Sequence, residues 1–214
     1  MLDTNGLLGS QALAEFIGQG TGQNPGSGTL VLDFSFAAVG DLGVIHAYYP
    51  LPGSNNATAA GWNRVTYTWT ASNAYLSVYM WKVLDAADVA SGVTVTGLAP
   101  VQEQVGWAAY RGPTTAAVVS TGADYASATV SAPAFDPHDL HMGAVSILHS
   151  RTDQANPTPP AGSTRRAVFT VTSYGTAALA DFSDPDAYAG GALVWTGLTG
   201  AFDHANVVIE LRES

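Results

Sequence analysis

Residues 59–70 read AAGWNRVTYTWT, and this stretch decides the fold class. From Val65 to Thr70, apolar side chains and threonines alternate without a break. A period of two places alternate side chains on opposite faces of an extended strand. The stretch therefore predicts a strand that covers a core with one face and meets a more polar environment with the other.

A second stretch repeats the first. Residues 160–172, PAGSTRRAVFTVT, share the Ala-Gly step and end in another alternating run. Asp-Leu pairs at 41–42 and 139–140 keep the same order, with an offset near 100 residues. We interpret this as an internal pseudo-repeat over about 38–112 and 137–212. The alternative is that both stretches follow the strand and turn pattern common to all β-sandwiches.

Most of the chain from Leu30 onwards reads as short strands separated by Gly, Pro, Asn and Asp. Residues 42–49 and 74–81 are apolar on both faces, as expected for a strand between two layers. Residues 83–92 predict a helical turn or a loop between strands. The pattern predicts an all-β, jelly-roll-like (concanavalin-like) β-sandwich of about ten strands that fills residues 29–214. Because about five strands per repeat cannot cover their own apolar faces, the two repeats should close on each other.

The N-terminal stretch has a different pattern. Residues 9–18, GSQALAEFIG, place Leu13, Phe16 and Ile17 on one face of a short helix, and a glycine-rich connector follows. Residues 1–28 are therefore predicted to form an arm outside the sandwich, with those three apolar side chains anchoring the chain in an assembly. Removing the arm should leave a folded sandwich that no longer assembles.

Composition excludes several classes of protein. The 214 residues include no cysteine, which excludes disulfides and thiolate zinc sites. Seven basic and 17 acidic residues give a net charge of −10, so phosphate backbones repel the chain and a nucleic-acid partner is not expected. No apolar run reaches membrane-spanning length, so membrane insertion is not expected either. The first residues lack the features of a signal peptide, so we expect synthesis in the cytoplasm.

Catalytic signatures are not found in the sequence. There is no Gly-x-Ser-x-Gly elbow, and the four glutamates are too scattered to predict a glycosidase pair. We therefore predict no catalytic residue, no cofactor and no enzymatic activity.

Two segments hold residue types that bind metals. Asp181, Asp184 and Asp186 lie close together in DFSDPDAY, and their oxygens could bind calcium, although the glycine pivot and distal glutamate of an EF-hand loop are missing. An exposed acidic turn is the favoured interpretation. His138 and His141 lie in FDPHDLHMG, where a turn entering a strand explains them better than a transition-metal site.

Three aromatic residues are candidates for a binding surface. Trp62 follows Gly61 at a predicted turn, and Tyr48 and Tyr49 precede a loop at residues 50–56. Loops at the ends of sandwiches commonly carry binding, and aromatic rings stack on sugars. These residues are the candidate contact with a host-surface glycan, and the alternative, which is favoured for the tryptophans as a set, is that they fill the core of the sandwich.

The order of motifs resembles a known group of proteins. Gly-Asp-Leu at 40–42, Ala-Gly-Trp at 60–62, YLSVYMWKV at 75–83 and WAAYRG at 107–112 are followed by a degraded copy containing TPPAGSTRR at 158–166. This order resembles β-sandwich proteins of tailed bacteriophages and prophages that are described as minor tail or virion structural proteins. The second copy departs from the pattern, because Ser163 stands where the first copy has tryptophan.

The resemblance implies a protein located in the virion, as a subunit of the tail, tail tip or fibre that could contact the host surface. Its expected partners are other virion proteins and copies of itself. A capsid decoration protein is the alternative within the same class, and a carbohydrate-binding module is the alternative from another class.

Overall fold

The computed structural model describes residues 13–24, 26–49, 56–69, 75–99, 103–138, 141–171, 175–182, 191–199 and 203–214. Within this part of the chain there are 15 strands and one short helix. The chain is therefore all-β, as predicted, although it has more strands than the ten or so that the sequence indicated. None of the helices in the described ranges is long and apolar enough to cross a membrane.

The first half of the chain contains eight strands and the helix, in this order: β1 (Glu15–Gln23), β2 (Thr29–Leu32), β3 (Leu42–Tyr49), β4 (Thr58–Ala59), β5 (Asn63–Trp69), β6 (Tyr75–Val83), α1 (Ala86–Ser91), β7 (Val93–Thr96) and β8 (Gln104–Arg111). The second half contains seven strands: β9 (Thr115–Tyr125), β10 (Thr129–Ala132), β11 (His141–Ser150), β12 (Thr164–Val171), β13 (Gly175–Phe182), β14 (Leu193–Thr196) and β15 (Asp203–Arg212).

The two halves have the same topology. The first half forms a five-stranded sheet in the order β1-β8-β3-β6-β5, and the second forms one in the corresponding order β9-β15-β11-β13-β12. A small sheet accompanies each, β2-β7-β4 in the first half and β10-β14 in the second. The likeness extends to single residues, because Thr58 pairs with Thr96 and Thr158 pairs with Thr196. The predicted pseudo-repeat is therefore confirmed, and it includes β1, β2, β9 and β10 as well.

Four layers of sheet enclose three regions of core. The two five-stranded sheets face each other across a core that we call the inter-half core, to which Val44 and Tyr48 of β3 contribute. The neighbouring side chains of that strand, Ile45 and Ala47, point the other way and pack under the three-stranded sheet. The second half buries its outer face under β10 and β14 in the same manner. The apolar character of residues 42–49 on both faces is explained by this double burial.

The predicted N-terminal helix is wrong for the part of it that the structure describes. Residues 15–18 belong to β1, which pairs with β8 along its whole length. Alternate glycines make this possible: a Cβ at Gly18 would lie 2.6 Å from Cδ2 of Phe36, and one at Gly20 would overlap the ring of Trp107. A close backbone approach of this kind outweighs the weak helix propensity of a short segment. The remainder of the predicted helix lies outside the described residues.

The helical turn predicted at residues 83–92 is confirmed as α1. Asp85 caps it by accepting hydrogen bonds from the backbone N–H groups of Ala87 and Asp88, and Asp88 returns the contact to the backbone of Asp85. Lys82 bridges both carboxylates, at 2.7 Å from Asp85 and 2.8 Å from Asp88. This reciprocal capping stabilises a helix too short to form by itself.

Candidate functional site at the contact between the two halves

The middle of the inter-half core holds a polar cluster, which we call the histidine cluster and which consists of His46, Ser77, Tyr79 and His149. Nδ1 of His46 lies 3.1 Å from Nε2 of His149. Nδ1 of His149 lies 2.9 Å from the Ser77 hydroxyl and 3.1 Å from the Tyr79 hydroxyl. All four side chains are buried, and three of them have no exposed surface. The cluster joins the halves, because His149 belongs to β11 and the other three residues to β3 and β6.

One arrangement of protons satisfies the contacts of Ser77 with Trp69 and His149. The indole N–H of Trp69 donates to the Ser77 hydroxyl at 3.0 Å, and the serine hydrogen can donate to Nδ1 of His149. A neutral His149 then carries its proton on Nε2 and donates it to Nδ1 of His46. The ring of Tyr48 stacks on His149 with centroids 4.5 Å apart. Both imidazoles are therefore held in one orientation as neutral rings.

Burial opposes protonation of both histidines. Loss of solvation lowers the pKa of His46 to about 4. Burial lowers the pKa of His149 well below its ordinary value, and the neighbouring His46 lowers it further. A charge on either ring would lie in an apolar core with no carboxylate among its described contacts. The neutral pair is therefore the form that holds the halves together near pH 7.

A serine hydroxyl beside an imidazole is one element of nucleophilic catalysis. Here Ser77 and His149 have no exposed surface, and the indole of Trp69 occupies the remaining side of the hydroxyl. A substrate would have to separate the two halves to reach this oxygen. The contact therefore serves to satisfy polar groups inside a core, which is a structural role.

One narrow cleft leads from the edge of the inter-half core toward His46. Its walls include Gln19 and Thr21 of β1 on one side and Phe169 of β12 on the other. Gly106 lies directly against the imidazole, where any Cβ would overlap the ring. His46 is 4% exposed. The cleft is narrow and ends against the buried imidazole of His46.

An ion pair of the second half packs against the first half near one end of the core. The guanidinium of Arg166 on β12 contacts both carboxylate oxygens of Asp181, at 2.9 and 3.0 Å from Nε. It also lies 4.4 Å from the ring centroid of Phe16. Phe16 in turn meets the edge of Tyr110, with ring centroids 5.8 Å apart. Burial raises the pKa of Tyr110 well above its ordinary value, and the Asp181 carboxylate raises it further.

The calcium prediction does not fit this environment. Asp181 is 2% exposed on β13, so it does not lie in the exposed turn that the sequence indicated. Its carboxylate forms an ion pair with Arg166, so the positive charge beside it is supplied by a side chain. Asp184 and Asp186 lie outside the described residues. No group of three or more metal-binding side chains occurs in the part of the chain that the structure covers.

His141 has a charged neighbour in Glu210. Its Nδ1 lies 3.1 Å from a Glu210 carboxylate oxygen, and Arg212 contacts the other oxygen of that carboxylate. Burial lowers the pKa of His141, although Glu210 acts in the opposite direction. His138 donates its backbone N–H to Glu210 at 2.7 Å and exposes its side chain. These contacts agree with a turn that enters a strand.

The three predicted surface aromatics are buried, so that prediction is wrong. Tyr48 has no exposed surface, Tyr49 is 9% exposed and Trp62 is 8% exposed. Tyr48 points into the inter-half core, and Trp62 packs on Phe34 beneath the three-stranded sheet. Sequence reasoning treated these positions as ends of a two-layer sandwich. In a four-layer structure both faces of a central strand are covered.

The residues predicted to mediate assembly have separate environments. Phe16 packs on the inter-half core and Ile17 packs under the three-stranded sheet, so both contribute to the interior of this chain. Leu13 is 50% exposed. The backbone N–H of Ala14 donates to the carbonyl of Met142 in the second half, at 3.0 Å. Phe16 therefore contributes to assembly of the two halves within one chain.

Reasoning from the sequence did not predict the histidine cluster. His46 and His149 are 103 residues apart and have no motif around them. The available signal was that each histidine interrupts a strand that is otherwise apolar on both faces. A polar side chain in such a strand must find a partner from another layer.

Comparison with known proteins returns little. No protein-family model matches the chain, and no curated protein matches it. Among solved structures, the crystal structure of Cucumber Necrosis Virus is similar at a TM-score of 0.29 and 15% identity, over 93% of this chain and 85% of that one. A TM-score this low carries no argument about fold or function.

Proposed function

We propose that this chain is a structural protein of a virion, from a tailed bacteriophage or prophage. The observation that carries the proposal is the closure of two like halves over one continuous core, with the histidine cluster sealed inside it. Such a chain has the properties of a rigid building block. The resemblance of its motifs to minor tail and virion structural proteins supports the same role.

Within that role, we place the chain on the tail, tail tip or fibre, with other virion proteins and copies of itself as partners. The resemblance supports the tail, and decoration of the capsid is the alternative position. The residues that were candidates for contact with a host-surface glycan, Tyr48, Tyr49 and Trp62, are buried and do not form an exposed binding surface. The same burial removes the reason to favour a carbohydrate-binding module.

We also propose that the role involves no catalysis and no bound cofactor. Two described serine–histidine pairs, Ser77–His149 and Ser150–His204, each have hydroxyl and imidazole 2.9 Å apart, and the side chains of both pairs have no exposed surface. A hydrolase would need such a hydroxyl to face a cleft.

Immunogold labelling tests the proposed function. Antibodies raised against the purified chain are applied to particles released from a host that carries its gene, and the particles are imaged by electron microscopy. Gold on tails or tail tips supports the proposed position, and gold on capsids supports decoration. Particles without gold, with the protein retained in the cell fraction, would contradict a virion role.

A further inference from the structure

Strand β5 differs from the other strands at the edges of the two large sheets. Within the described residues it pairs only with β6, and its ladder is regular from Asn63 to Trp69. The pairings of the other three edge strands are each interrupted by a shift of register: β1 at Phe16/Gly18, β12 at Arg165/Ala167 and β9 opposite Val208/Ile209. A bulge discourages further pairing at an edge. The regular edge is therefore the one suited to accept another strand.

The position of β5 leaves this edge open among the described elements. The edge strand of the facing sheet, β9, packs across from β6, so β5 lies at the outer limit of its sheet. Arg64, Thr66 and Thr68 are exposed on one face. Val65 and Tyr67 are half-buried on the other face, where they pack against the inter-half core. An added strand would cover the exposed part of those two side chains.

We propose that β5 is a self-association surface, where it pairs antiparallel with β5 of a second copy about a two-fold axis through Thr66. This register overlaps all seven residues of the strand, more than any other symmetric register. It sets Val65 opposite Tyr67 of the second copy and Thr66 opposite its equivalent. Pairs of an aromatic with a β-branched residue, and of two threonines, stabilise antiparallel sheets. The five-stranded sheet of the first half of one copy and the same sheet of the second copy then become one continuous sheet across the dimer.

The charges along the proposed seam are compatible with a second copy of this chain as the occupant. Arg64 is the only charged residue of the strand, and the proposed register places it opposite the neutral Thr68. Like charges therefore do not oppose each other at the seam, although each chain carries a net charge of −10. Raising the salt concentration should screen the repulsion between copies and strengthen association. This inference goes beyond the virion role and depends on the geometry of the edge alone.

Charge substitutions at Thr68 test the register. In sedimentation velocity over a wide concentration series, wild-type chain should form a reversible dimer. Thr68→Arg places two arginines opposite each other twice per dimer, and should weaken association about tenfold. Thr68→Glu creates two ion pairs with Arg64 and should tighten it by a similar factor. The double variant Arg64→Glu with Thr68→Arg restores opposite charges and should recover dimerisation.

Thr94→Arg and Thr94→Glu are the matched controls, because Thr94 is an exposed strand threonine on β7, away from this edge. They should leave the dissociation constant unchanged. A wild-type chain that stays monomeric at every concentration would overturn the proposal, and so would a dimer that responds equally to both charges at Thr68. Circular dichroism and thermal melts confirm that each variant is folded. Self-association is measured on purified chain, so its failure is distinguishable from a failure of particle labelling.

Discussion

The histidine cluster makes the stability of this chain depend on pH in a way that can be calculated. In the unfolded chain a histidine titrates near 6.5, whereas burial lowers the pKa of His46 to about 4 in the folded protein. Below pH 6.5 the unfolded state therefore binds protons that the folded state refuses. The contribution of His46 is fully present above pH 6.5, declines as the pH falls, and levels off below about pH 4.

The magnitude follows from the two pKa values. Linkage gives a loss of unfolding free energy of about 2 kcal/mol at pH 5 and about 3 kcal/mol at pH 4 from His46 alone. His149 acts in the same direction, because burial lowers its pKa as well. A loss of this size is a large fraction of the stability of an ordinary domain.

Urea unfolding followed by tryptophan fluorescence, at constant ionic strength between pH 8 and pH 4, measures this loss. His46→Gln keeps an amide that can bond to His149 but removes the titration. It should lower stability at pH 8 by about 1 kcal/mol, and its stability should then fall by about 2 kcal/mol less than that of the wild type on going to pH 5.

Thr94→Gln is the control for the substitution itself, because that side chain is exposed on β7 and does not titrate. It should reproduce the wild-type pH profile. If His46→Gln and wild type lose stability in parallel between pH 8 and pH 5, then His46 is not the buried neutral group described here, and the reasoning from its burial fails.

Three further predictions concern packing, ion pairing and the N-terminal strand. Gly20→Val forces a side chain into the ring of Trp107 and should cost about 3 kcal/mol in urea unfolding. Gly191→Ala, whose added Cβ would have no atom within 4 Å, should change stability very little, and equal effects of the two substitutions would contradict the described packing of β1. Asp181→Asn removes the carboxylate that pairs with the partly buried Arg166 and should cost about 3 kcal/mol, with a much smaller change for the exposed Asp85→Asn. Unchanged stability in both variants would refute a stabilising role for the buried Arg166–Asp181 ion pair. Deleting residues 1–28 removes β1 from β8 and uncovers Trp107, so the truncated chain should lose its cooperative thermal unfolding. A truncated chain that still folds would instead support the prediction of an arm outside the sandwich.

Local patterns in the sequence determined the β class, the positions of most strands, the helical turn and the repeat. Alternation over residues 65–69 indicated a strand with one face on a core, and continuous apolar runs such as 42–49 indicated strands between two layers. Both signals depend on neighbours along the chain. A strand's side chains alternate between its faces whatever lies beyond them, so a single sequence is enough to read them.

Contacts between layers were decided only by the tertiary structure. The N-terminal segment carries a weak helical pattern, yet it forms β1 because its glycines fit beneath Trp107 of a strand far along the chain. Tyr48 and Trp62 read as surface residues beside turns, yet two further layers of sheet cover them. His46 and His149 meet because the halves pack face to face. Whether a side chain is buried, and which residue it contacts, depends on the layer that packs against its sheet. A local sequence pattern carries no information about that layer.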